Sequence, residues 1–172
     1  MVDTGREREA TSPVSVVWSL ALVFVLPALL VCFGERVAQD AAQPGAQERL
    51  FAAADAGDVE TVNRLLGSNN ARINAADAAG CTALYHATRA GRLNVVNLLL
   101  SRGADVSIGS PTYGQPLIRA AQNEQVDVAA ALLAAGADPR TRDACGNTPL
   151  HYAGTTCNMR MADLLRAAGA DE

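Results

Sequence analysis

Lysine is absent: all fourteen basic residues of the 172-residue chain are arginine. Aromatic residues make up only 4%, and there are two histidines and four cysteines. Each shortage excludes something. So few aromatic rings leave little material for an aromatic-lined small-molecule pocket. A net charge of −4 without lysine is a poor match to a polyanion, so nucleic acid is not an expected partner. No Ser, Cys or carboxylate stands at a readable spacing from a general base. The glycines do not form a G-x-x-x-x-G-K phosphate loop. As a matter of codon usage, and not of physics, the all-arginine bias leads us to expect a GC-rich, bacterial genome.

What is present is a repeating pattern. Asp77 to Ser107 reads as a turn, a short helix, a glycine, a second helix and a glycine stop, divided by Gly80, Gly91 and Gly103. Thr82 stands where an N-cap belongs. Leu84, Ala87 and Thr88 then fall on one helical face. Leu93, Val96, Leu99 and Leu100 make the apolar face of the second helix. Thirty-three residues after Thr82-Ala83-Leu84 comes Gln115-Pro116-Leu117, and another thirty-three later Thr148-Pro149-Leu150. The stops align as Gly103-Ala104-Asp105, Gly136-Ala137-Asp138 and Gly169-Ala170-Asp171. A fixed period with matching turn residues marks a stacked repeat.

The period and the run Asp143 to Ala153, with Thr148-Pro149-Leu150-His151 at its centre, resemble the ankyrin repeat. Gly91 and the run Val95 to Asp105 complete the likeness in the second unit. The resemblance implies an all-α solenoid of about four helix-turn-helix repeats, at 48–76, 77–109, 110–142 and 143–172. The first repeat places Leu50, Ala53 and Ala54 on one helix and Val59, Val62, Leu65 and Leu66 on the next. Glu48, Arg49 and Asp55 give it the polar outer surface of a terminal cap. The third repeat departs most. Ser110 to Gly114 replaces the Asp-x-x-Gly turn, Gln115 replaces the capping Thr, and Glu124 stands where the inter-helix Gly belongs. A binding finger and neutral drift both explain this. In the fourth repeat Thr148 and Pro149 form an N-cap and N1 pair, and Arg166 stands where Leu66, Leu100 and Leu133 stand before it.

Residues 14–33 run for twenty positions without a charge, enough for a helix of about 30 Å, the thickness of a hydrocarbon core. We expect residues 1–12 to be a polar tail, 13–34 a transmembrane helix and 35–47 a linker ahead of the repeat domain, 48–172. A cleaved signal peptide is the alternative, although no clear A-x-A site follows. Arg6 and Arg8 flank one side of the run, Arg36 and Arg49 the other, so positive charge is nearly balanced. A short N-terminal tail kept inside puts the repeats on the periplasmic or extracytoplasmic face. The linker spans at most about 45 Å, which keeps them near the bilayer.

Cys81 and Cys145 fall in turns two repeats apart, on the order of 20 Å, beyond disulfide reach. Cys157 is separated from Cys145 by a helix, so free thiols are expected. The pairs Cys81/His86 and Cys145/His151 are likewise too far apart to converge on a metal, and no cofactor is expected. His86 reads as a partly exposed helix residue. The resemblance implies that His151 hydrogen-bonds the neighbouring turn. Met159 and Met161 read as core filling, and Arg140 and Arg142 as a solvated turn or an anion contact.

In proteins of this kind, partner contacts come from the turn tips and inner helices. Carried over by position, the tips are Ala78, Ala79 and Cys81; Pro111, Thr112, Tyr113 and Gly114; and Ala144, Cys145 and Asn147. The helix positions are Asp55, Arg89, Gln122, Asn123, Thr155 and Thr156. Tyr113 and Arg89 lead, since Tyr and Arg dominate interface energetics. The expected function is a membrane-tethered module that binds another protein without catalysis. Two other classes remain: a secreted soluble inhibitor or immunity-type protein released by cleavage, and a thiol-based redox protein using Cys81, Cys145 or Cys157.

Overall fold

The computed structural model describes residues 45–68 and 71–170. The expected tail and transmembrane helix, and nearly all of the linker, lie outside them. Among the described residues no helix is long and apolar enough to cross a membrane.

Eight helices follow one another: α1 (Ala46–Ala56), α2 (Val59–Gly67), α3 (Ala83–Arg89), α4 (Leu93–Ser101), α5 (Pro116–Gln122), α6 (Val126–Ala134), α7 (Pro149–Thr155) and α8 (Met159–Ala167). No strand occurs among the described residues, only isolated bridges at Ala76–Thr82 and Ser110–Gly114. The odd-numbered inner helices pack in series on one another, and so do the even-numbered outer ones. Each inner helix also packs on the outer helix that follows it. This is the layered translation expected of a solenoid.

The caps explain the short helices. Thr82 Oγ1 accepts from the Tyr85 N–H and Thr148 Oγ1 from the His151 N–H, as expected. Asp58 and Asn158 cap α2 and α8 in the same way. Gln115 caps nothing with its side chain, so α5 relies on Pro116, which supplies a helical φ at the start. The turn between the helices of each repeat needs a left-handed residue. Gly57 (φ 85°) and Gly91 (φ 68°) supply it, but Glu124 (φ 58°) and Cys157 (φ 53°) adopt it against their own Cβ sterics. Glu124 departs from the repeat pattern in the sequence itself, whereas Cys157 was expected only as a free thiol.

Leu84, Val96, Leu99, Leu117, Leu132 and Leu165 are all at most 1% exposed and form a continuous core through the layers. Each such burial contributes roughly 1.5–3 kcal/mol. Six of the seven residues of α3 are buried because neighbouring inner helices cover it on two sides. Two apolar residues pack less than expected. Val59 is 38% exposed and Met159 67%, because each opens an outer helix at its solvent edge; Met161 alone fills the core. The first helix starts at Ala46, two residues inside the expected linker. There Gln47 anchors it, donating from its amide to the Arg72 carbonyl (3.1 Å) and accepting from the Arg72 N–H (2.9 Å).

Candidate functional site

The turns at 77–81, 110–114 and 143–147 pack side by side along one edge. The Ser110 hydroxyl donates to the Ala79 carbonyl at 2.8 Å. Pro111 lies so close to Gly80 that a Cβ there would sit 2.7 Å from Pro111 Cδ. Gly114 in turn backs onto Asp143. In the second and fourth repeats an aspartate organises the turn. Asp77 Oδ1 accepts from the N–H groups of Ala79 (2.8 Å) and Cys81 (2.9 Å). Asp143 Oδ1 accepts from those of Cys145 (2.8 Å) and Asn147 (2.9 Å).

The second carboxylate oxygen ties each turn to the inner helix. Asp77 Oδ2 lies 3.0 Å from His86 Nε2, and Tyr152 donates its hydroxyl to Asp143 Oδ2 at 2.5 Å. Burial pushes the Asp77 carboxyl upward, but hydrogen bonds from Cys81, His86 and Ala79 outweigh it and hold that group below the ordinary carboxylate range. The Tyr152 hydroxyl holds Asp143 below it too, helped by the Asn147 and Cys145 N–H groups.

His86 does more than close its own turn. Its Nδ1 lies 3.0 Å from Asp55 Oδ2 on the preceding repeat, and its ring stacks on Phe51 at 5.2 Å. A carboxylate oxygen thus stands at each of the two ring nitrogens. Arg89 Nη2 donates to both oxygens of Asp55 (3.0 and 2.9 Å), and Arg92 Nε donates to the Asp55 carbonyl (3.1 Å). His86 is therefore buried, at 9% exposure, and not the partly exposed residue expected. Its partners lie 9 and 31 residues away, beyond what helical periodicity reports. The turn contact expected of His151 is made instead by Tyr152: the His151 side chain is exposed and meets the Tyr152 ring edge-on at 5.8 Å.

The expected contact residues divide accordingly. Ala78, Ala79, Pro111, Thr112, Ala144 and Cys145 are exposed on the tips, and Tyr113 is 49% exposed. Asn123 and Thr155 are exposed on the inner-helix ends; Asn123 donates to the Arg89 carbonyl, and the Thr155 hydroxyl to that of Tyr152. Gln122 and Asn147 are half-buried and already bonded, to Arg119 and Tyr152 respectively. Asp55 and Arg89 are paired with each other across the first two repeats. Cys81 is 4% exposed, and burial pushes its thiol up, which disfavours the reactive thiolate. Cys81, Cys145 and Cys157 are all free thiols. Among the described residues no group of three metal-ligating side chains converges; Asp55 and Asp77 lie at opposite edges of the His86 ring.

One further candidate stands beside these and does not emerge from the sequence pattern alone. Arg119 sits beneath Tyr113, its guanidinium 5.8 Å from the ring centroid, with Nη1 donating to Gln122 Oε1 at 3.1 Å. Aligning the inner-helix positions one past the box histidine points to its position.

Comparison with known proteins agrees with this geometry. Residues 26–110 and 50–143 match the family described as ankyrin repeats in three copies, and residues 145–172 match a single ankyrin repeat. The palmitoyltransferase akr1 of Schizosaccharomyces pombe is 38% identical over 68 residues, which are 39% of this chain and 11% of that protein. The chain thus spans about a tenth of that relative's length. With most of its length matched and its helices stacked in the expected layers, the chain belongs to the ankyrin repeat family, whose repeats serve as protein–protein interaction modules.

Proposed function

We propose that the chain is a membrane-tethered binding module that holds another protein close to the bilayer through its turn tips and inner-helix ends, without catalysing a reaction. The observation that carries this reading is the row of turns. Three tips lie side by side, braced by Ser110, Pro111 and the two aspartates, and present Tyr113 outward on a rigid base. Rigid display of an aromatic residue lowers the ordering cost of association. The uncharged run 14–33 supports the tether. In this reading the repeats lie on the extracytoplasmic side.

Site-specific photocrosslinking in the native membrane tests the binding face. Probes at Tyr113 or Cys145 should give partner adducts, and a probe at Asn97, exposed on outer helix α4, should give none. Adducts from Asn97 alone would overturn the assignment. Deleting residues 14–33 should release the protein from carbonate-washed membranes; retention would remove the tether. Labelling of Cys145 by an impermeant maleimide on intact cells checks the side.

A further inference from the structure

Two positions recur at intervals of thirty-three residues. The turn position is Asp77, Ser110 and Asp143; the inner-helix position is His86, Arg119 and Tyr152. In the second and fourth repeats the pair is joined, carboxylate to donor. In the third repeat both members differ. The turn has lost its carboxylate, and the helix carries a permanent cation. The Ser110 hydroxyl does not substitute: it donates to the Ala79 carbonyl and accepts from the Thr112 N–H. Arg119 is left with Gln122 and the Tyr113 ring. Its Nε is buried with no hydrogen-bond partner, and the Tyr85 hydroxyl, 1% exposed on the facing helix, has none either. Among the described residues Arg119 meets no carboxylate, whereas Arg89 holds Asp55.

A guanidinium matches a carboxylate in shape and charge, and the paired hydrogen bonds are among the strongest available to a side chain. We propose that the third repeat takes its missing carboxylate from the partner: an Asp or Glu side chain of an acidic segment lies over the third turn, bonded to Arg119 and flanked by the exposed Tyr113 ring. This rests on the reading of the chain as a protein-binding module and names the chemistry of its partner. Arg119 is half-buried, not sealed, and Tyr113 beside it is the one large apolar side chain exposed on the described turn tips.

The test uses the full chain in lipid nanodiscs. Two peptide pools, capped at both ends, carry Glu or Gln at a fixed central position with randomised flanks. Binding is followed by fluorescence anisotropy and by the NMR signal of the Arg119 Nε–H. The Glu pool should bind at least about tenfold more tightly than the Gln pool and shift that signal. Arg119→Gln should remove the difference. Ser110→Asp, which supplies a carboxylate within the chain, should weaken Glu-pool binding and provides a second test if Arg119→Gln does not fold. Equal binding of the two pools, or Glu preference that survives in a folded Arg119→Gln protein, overturns the proposal. If partner crosslinks from Tyr113 persist while the pools bind alike, the carboxylate assignment fails and the binding module stands. If the Glu pool binds through Arg119 but no probe on the tips crosslinks a native protein, the carboxylate site stands and the module reading fails.

Discussion

The second and third repeats share an apolar core and differ in how their turns are closed. Leu84 and Leu117 occupy equivalent positions, and both are almost fully buried. Around them, the second repeat has Thr82 as cap, Gly91 between its helices and Asp77 bonded to His86. The third has Gln115, which caps nothing, Glu124 in the left-handed region, and Ser110 with Arg119, which are not bonded to each other. The stacking layers therefore tolerate the loss of the side-chain cap, the inter-helix glycine and the turn carboxylate in one repeat, because neighbours on both sides still cover its apolar surface. What the third repeat gives up in closure it presents as an exposed tyrosine beside a cation that meets no carboxylate among the described residues.

Mutations that treat the two repeats alike should come from the core. Leu84→Ala and Leu117→Ala should each cost about 3 kcal/mol in urea unfolding, since both leave a cavity in a sealed layer. A large inequality between them would mean that the third repeat is not packed as tightly as the second. The polar junction should separate them next. His86→Ala strips hydrogen-bond partners from Asp55 and Asp77 and removes a stacked ring, and should cost roughly 2–3 kcal/mol, whereas Arg119→Ala should cost well under about 1 kcal/mol. Caps give a smaller contrast: Thr82→Ala should cost about 1 kcal/mol and Gln115→Ala nothing measurable. Replacing Glu124 by Gly should gain up to about 1 kcal/mol by relieving its left-handed backbone, while Gly91→Ala should lose a similar amount.

Acid should sharpen the comparison least, but its sign is fixed. Asp77 and Asp143 have carboxyls held below the ordinary value of 3.8 in the folded protein. Their contribution is complete above that value and is lost as pH falls through the depressed range. Hydrogen exchange should show the turns at 77–81 and 143–147 loosening with acid, while 110–114, organised by a serine, does not respond. Acid sensitivity in all three turns would contradict the assignment of the aspartates.

Much of the fold was legible because the repeat writes the same local chemistry at each interval. Thr82, Thr148 and Pro149 do what their residue types do at helix starts, and the glycines punctuate the turns. Helix exposure was less legible. Periodicity assumes one covered face, and an inner helix of a stack is covered on two, which is why His86 and Tyr85 are buried. The contacts of His86 span repeats, so they follow from stacking and not from local spacing. Arg119 escaped notice for the opposite reason: its partner is missing from its own turn, and only a comparison of equivalent positions across repeats reveals a gap.

The most direct measurement is a pair of double-mutant cycles on stability, Asp77→Ala with His86→Ala and Ser110→Ala with Arg119→Ala. A coupling of about 1–2 kcal/mol in the first pair and none beyond about 0.3 kcal/mol in the second is the expected result. Comparable coupling in both would show that the third repeat closes its own turn, and would remove the reason for a partner to supply the carboxylate.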